Sequence, residues 1–182
     1  SKNFKLRHCV DFSKLAIKIA KKKLGKRGKF YCKDFFKIKF EKDFFDCILS
    51  LHTIYHIDKN LQLNAVKKLL NISKKNSPVI IVYSNPNTIL SRIKRIFTNK
   101  KKNKNNLYFF CHPISWWSQF EKSAHVSIKP WRSFSSDHQK IIFPNNYLGK
   151  KLLDFLFIME GIFESFFINN FQYYVVVLKK NN

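Results

Sequence analysis

Residues 8–24 read HCVDFSKLAIKIAKKKL, and this stretch decides the fold class. Arg7 to Val10 is a short strand-like run closed by Asp11, and Ser13 is placed to cap a helix over Lys14 to Leu24. Leu15, Ala16, Ile19 and Ala20 share one face of that helix, with lysines 14, 18, 21 and 22 opposite. Gly25 and Gly28 end it. A strand follows at Lys29 to Cys32, closed by Lys33-Asp34-Phe35, and another at Phe45 to Leu51, whose nearly continuous apolar run after Asp46 predicts burial on both faces.

The same alternation continues downstream. A helix is predicted over about Leu61 to Asn71, with Leu63, Val66 and Leu70 on one side, and Val79 to Tyr83 reads as the clearest central strand. A helix at Thr88 to Phe97 and a polar spacer at Asn99 to Asn106 precede a short helix from Pro113 that bears Trp116, Trp117 and Phe120. Val126 to Trp131 and Phe171 to Leu178 read as the last strands, separated by a strongly apolar helix at about Leu148 to Phe167. Strands alternating with helices predict an α/β fold: a Rossmann-like, mostly parallel sheet with helices on both faces and an antiparallel addition at one edge. One domain over 1–182 is expected, with residues 1–97 as its cofactor-binding half and 107–182 as a variable half.

Composition narrows the function classes. Twenty Phe, seven Tyr and three Trp in 182 residues supply too much apolar surface for a disordered chain. Four widely spaced cysteines without a CxxC pair exclude a disulfide scaffold and a paired-ligand metal site, and predict buried, reduced thiols in a cytoplasmic protein; no metal is expected. The net charge is +24, but thirty of the 35 basic residues are Lys and only five are Arg, and the lysines are spread along the whole chain. Arg is the bidentate reader of phosphate and guanine. The pattern therefore fits a solvated lysine surface better than specific nucleic-acid recognition, leaving weak, salt-sensitive contact with RNA or a membrane surface.

In doubly wound sheets ligands bind at the carboxyl ends of the strands. Three polar sites fall there: Asp11, Asp34-Phe35 and Ser50-Leu51-His52. One acid can accept both ribose hydroxyls of an adenosine and a second the exocyclic amine of its base. Each Asp alone is equally at home as a helix cap or turn residue; three such sites in register predict a nucleotide site.

Read together, these segments resemble the class I S-adenosylmethionine-dependent methyltransferases. HCVDFSKLAIKIAKKKL (8–24) is similar to that family's second strand, ribose-binding acid and following helix, and KFYCKDFFKIKF (29–40) to its third strand. DFFDCILSLHTIYHI (43–57) resembles the fourth strand with its motif, and NSPVIIVYSNPN (76–87) the fifth, without the usual glycines before it. The resemblance covers residues 6–97; residues 110–134 and the closing strand look like the variable half of a bacterial branch. It implies S-adenosylmethionine as cofactor, with Asp11 and Phe12 at the ribose, Asp34 and Phe35 at the adenine, and Ser50, Leu51 and His56 near the sulfonium. The acceptor is expected to be a small molecule or a cell-envelope precursor.

The family's first strand and glycine-rich loop would precede Ser1, and no Met opens the chain. It is therefore expected to be a fragment that, alone, is unstable or rearranged, binds the cofactor weakly and is inactive. Where the acceptor carries a proton, His52 and Tyr55 are the candidate catalytic groups, with His112 a weaker one; His52 and His56 are equally readable as packed histidines bonded to backbone. Trp116, Trp117 and Trp131 can line an acceptor pocket or belong to the core. On the 148–167 helix, Leu152, Phe155, Leu156, Met159, Phe163 and Phe166 can cap an active site or lie in a bilayer surface, with Asp154, Glu160 and Glu164 against a membrane span. The alternative function is a non-catalytic, degenerate methyltransferase-fold module or a basic RNA- or membrane-surface-binding protein. A dinucleotide-dependent dehydrogenase shares the ribose acid, but LSLHTIYHI (49–57) does not resemble that class.

Overall fold

Ser13 takes an extended backbone and accepts the Ala16 amide at 3.2 Å, which starts helix α1 (Lys14–Leu24) where the sequence places it. The computed structural model describes residues 4–88, 108–134, 139–140, 142–163 and 171–181, so the expected helix at 88–97, the spacer at 99–106 and the end of the last apolar helix lie outside the described residues. The chain divides into two compact units, Ser1–Glu41 and Lys42–Asn182.

In the first unit β1 (Arg7–Val10) and β2 (Gly28–Tyr31) run parallel, Val10 opposite Tyr31, and the Asp11 amide extends the ladder to the Tyr31 carbonyl. The helix α1 between them buries Ile17 and half-buries Ala16, Ala20 and Leu24, while Leu15 and Ile19 are exposed. The apolar face is thus turned about a quarter of a revolution from the one expected, Ala16 and Ala20 being common to both. Both stripes have helical spacing, and packing on β1 and β2 selects between them. His8, Tyr31 and Phe40 form a ring cluster beside the strands.

In the second unit the strand order is β3-β4-β6-β5. β3 (Ile48–Leu51) and β4 (Pro78–Ser84) are parallel, joined through α2 (Lys59–Ile72), whose N-cap Asp58 accepts the Asn60 amide. β6 (Tyr173–Lys180) lies antiparallel between β4 and β5 (Ala124–Arg132). The antiparallel addition therefore comprises two strands, and β5 is the edge. The fold is α/β and Rossmann-like. The core comes from Ala65, Val66 and Leu70 of α2, from Val79 and Ile81 to Tyr83 of β4 and from Tyr174 to Val176 and Leu178 of β6, with Trp117, Phe120 and Phe171 completing it.

Two expectations are corrected here. β3 starts at Ile48, Phe45 making only an isolated bridge to Ser73, and it is not buried on both faces: Leu49 is 62% and Leu51 54% exposed, while Ser50 between them is buried. Among the described residues of this unit β3 pairs only with β4, so its outer edge and the Leu49/Leu51 face have no cover there. Nor are the cysteines buried as a set: Cys9, Cys47 and Cys111 are half-buried and Cys32, in the turn after β2, is exposed; all four are free thiols.

Helix α3 (Tyr147–Ile162) is capped by Asn146, which accepts the Gly149 amide at 2.9 Å. A Cβ at Gly149 would lie 1.8 Å from the Pro144 carbonyl oxygen, so the turn into this helix requires glycine. Its inward stripe is Gly149, Leu153, Leu156 and Glu160, and Glu160 accepts the Ser133 amide. Leu148, Leu152, Phe155 and Ile158 are exposed. No helix among the described residues is long and apolar enough to cross a membrane.

Candidate functional site

The first unit holds the two acids in matching settings. Asp11 follows β1 and its Oδ1 accepts the Ser13 amide at 2.7 Å; Asp34 follows β2 and its Oδ1 accepts the Phe36 amide at 2.9 Å. Each side chain spends one oxygen on the amide two residues on, which locks the turn and fixes the carboxylate at the carboxyl end of its strand. The second oxygen of each makes no hydrogen bond among the described residues. Because β1 and β2 are paired in parallel register, both acids emerge at the same end of this sheet. Phe12, beside Asp11, is 75% exposed, and Phe35 is half-buried against Phe36.

The second unit brings together a polar aromatic cluster at the carboxyl ends of β3 and β4. Ser50 is buried, Leu51 is exposed, and His52 continues the ladder through its amide to the Val82 carbonyl. His52 has φ +57°, the left-handed region that costs a non-glycine residue about 1 kcal/mol or more. That turn carries the imidazole onto Tyr55, with Nδ1 and the Tyr55 hydroxyl 2.9 Å apart, and edge-on to the Tyr173 ring at 4.8 Å. Burial, with the positive charge of Arg132 and then His56 adding to it, holds His52 below the usual histidine value, so it stays neutral to lower pH than an ordinary imidazole. Burial drives the Tyr55 phenol well above its usual value, so it acts as a neutral hydroxyl.

His56 is fixed differently. Its Nδ1 lies 2.9 Å from the Tyr108 carbonyl oxygen. A carbonyl only accepts, so Nδ1 carries the hydrogen and the neutral ring presents its lone pair at Nε2. His112 stacks on Trp116 at 4.4 Å and 5°, and burial lowers its basicity. Burial pushes the Cys111 thiol up to about 12, which excludes a thiolate nucleophile there at neutral pH. Of the tryptophans, Trp117 is core and donates Nε1–H to the Tyr174 hydroxyl at 2.9 Å, Trp116 is half-buried, and Trp131 is exposed.

Sequence reasoning missed the residue that holds this cluster. Gln62 is fully buried on α2; its Nε2 donates to the Ile57 and Phe110 carbonyls at 3.0 and 2.9 Å, and its Oε1 accepts the Tyr83 hydroxyl at 2.6 Å. Tyr83 in turn accepts the His112 amide at 3.0 Å. One side chain thus ties the 52–57 segment, the end of β4 and residues 108–112 together. A glutamine at a helix position flanked by apolar neighbours was the available signal.

Residues 2–81 match the family model described as "Methyltransferase domain". The fold is similar to a SAM-dependent methyltransferase from Archaeoglobus fulgidus (14% identity, TM-score 0.60, covering 95% of this chain and 75% of that one). It is also similar to a Thermotoga maritima protein described as a possible histamine N-methyltransferase (16%, 0.60, 94% and 72%) and to the N-methyltransferase NodS from Bradyrhizobium japonicum (8%, 0.56, 96% and 73%). No sequence among the curated proteins matches. Residues 2–81 thus carry the methyltransferase pattern that their motifs implied, and the chain shares the fold of S-adenosylmethionine-dependent methyltransferases. The cofactor of that class is S-adenosylmethionine.

Proposed function

We propose that the chain transfers a methyl group to an oxygen or nitrogen atom of a small molecule or cell-envelope precursor, in the cytoplasm of a bacterium. The observation that carries this reading is the pair Asp11 and Asp34: two carboxylates at the carboxyl end of paired parallel strands, each locked by one oxygen and offering the other. That donor set suits a diol and an exocyclic amine, so Asp11 takes the ribose hydroxyls and Asp34 the adenine amine, with Phe12 and Phe35 as flanking ring surface. The family resemblance assigns Ser50, Leu51 and His56 to the sulfonium end. S-adenosylmethionine supplies a methyl group already activated on a sulfonium. With that donor bound, the acceptor's lone pair would form the new bond to the methyl carbon as the carbon–sulfur bond broke toward sulfur, and an acceptor carrying a proton on that atom would have to lose it. His52 receives it at Nε2, with Nδ1–H donating to the Tyr55 hydroxyl, which holds the ring in the strained turn. The fixed tautomer of His56 supports a second reading in which His56 Nε2 is the base.

Calorimetric titration with S-adenosylmethionine tests the binding part, using Asp11→Asn and Asp34→Asn. Asn keeps the local amide contact and removes the charge. Losing a charge-assisted bond is expected to weaken binding about 10- to 100-fold. Undiminished affinity in both variants rejects the reading.

A further inference from the structure

At the opposite end of the second unit's sheet lies an open pocket of about 400 Å³ bordered by Lys42, Asp43, Lys67, Lys75, Ser123 and Lys180. Its place follows from the topology. Lys42 and Asp43 precede β3, Lys75 precedes β4, and Lys180 ends β6, which runs antiparallel with Lys179 opposite Pro78. The pocket therefore sits at the amino ends of β3 and β4. Ser50 and His52 lie at the carboxyl ends, with the seven-residue β4 spanning about 20 Å.

We infer that this pocket binds a small ligand carrying a diphosphate group. Four lysines and one aspartate border it, and the carboxylate is already engaged: Lys180 pairs with Asp43 and donates to the Ser73 carbonyl at 3.1 Å. The end of α2, a source of partial negative charge, is also closed off. The Asp43 amide takes the Asn71 carbonyl at 3.1 Å, the Phe44 amide that of Ile72 at 3.0 Å, and the Ser73 hydroxyl that of Leu70 at 2.9 Å. Lys42, Lys67 and Lys75 are left with no carboxylate paired to them among the described residues, and the charges of Lys42 and Lys75 already reach Asp43, where they help hold its carboxyl below the usual range. Three such lysines around one concavity match a di- or trianion. A single carboxylate would neutralise only one of them, and a multiply charged phosphate group is what lysine recognises as a point charge.

The test is isothermal titration of the full chain with inorganic pyrophosphate at low salt, with orthophosphate as a second probe. Lys42→Ala/Lys67→Ala/Lys75→Ala is compared with Lys18→Ala/Lys22→Ala/Lys23→Ala, which removes the same charge from exposed positions on α1. The expected result is saturable pyrophosphate binding, tighter than that of orthophosphate. It should be weakened about tenfold or more by the pocket substitutions and less than about twofold by the control. Equal weakening in both variants, or no saturable binding by the parent, overturns the proposal. So does an oligonucleotide that binds while pyrophosphate does not. If the pocket triple variant loses its fold, Lys75→Glu, in the exposed turn before β4, gives the same comparison against Lys22→Glu.

Discussion

Replacing Gln62 by Leu removes a buried side chain that bridges three segments of the second unit. After the change the Tyr83 hydroxyl still accepts the His112 amide and can turn to the Phe110 carbonyl, already 3.5 Å away, so those two groups satisfy each other. The Ile57 carbonyl loses the Gln62 amide without such a substitute. One stranded acceptor costs about 1–3 kcal/mol and the loss of the remaining bonded geometry about 1 more, so the expected destabilisation is about 2–4 kcal/mol. Against a total of about 5–15 kcal/mol for a domain, that is a large fraction. Equilibrium urea unfolding of the parent and Gln62→Leu measures it. Adding Tyr83→Phe closes a double-mutant cycle in which a coupling of at least about 1 kcal/mol is expected, because the two residues share one network. A single-variant loss below about 0.5 kcal/mol, or additive effects, would refute the assignment of Gln62 as the tie.

Other consequences follow from the strained turn and the ion pair. His52→Gly should be more stable than His52→Ala by about 1 kcal/mol, since both lose the ring but only Gly relaxes at φ +57°; urea midpoints report it. If His52 is the base, its lowered pKa keeps it deprotonated to lower pH, so the acid limb of the kcat/KM profile should fall below pH 6.5 and vanish in His52→Ala. If the limb survives there and is lost in His56→Ala, the base is His56. The Asp43 carboxyl is held down first by the hydrogen bond from Lys180, so its folded value lies below its unfolded one. Its contribution to stability is then full above about pH 4 and disappears as pH falls through the folded value, so the Tm difference between parent and Asp43→Asn should close below about pH 4.

The local steps of this fold were legible in the sequence because short-range physics writes them. Ser13 caps α1, and the run from Val79 to Tyr83 is a strand paired on both sides because five consecutive largely apolar side chains favour burial on both faces. The acids after β1 and β2 were visible for the same reason: a strand ending in Asp two residues before an amide it can accept is a local pattern. What the sequence left open was decided by contacts far apart along the chain. Which stripe of α1 is buried depends on β1 and β2, and Leu49 and Leu51 are exposed because of where β3 lies in its sheet. The Gln62–Tyr83–His112 network and the lysine pocket join residues up to 138 positions apart, from Lys42 to Lys180. Periodicity and capping act within a turn or two of the backbone. The placing of a buried glutamine or of four lysines around one pocket depends on strand order, which only the folded chain specifies.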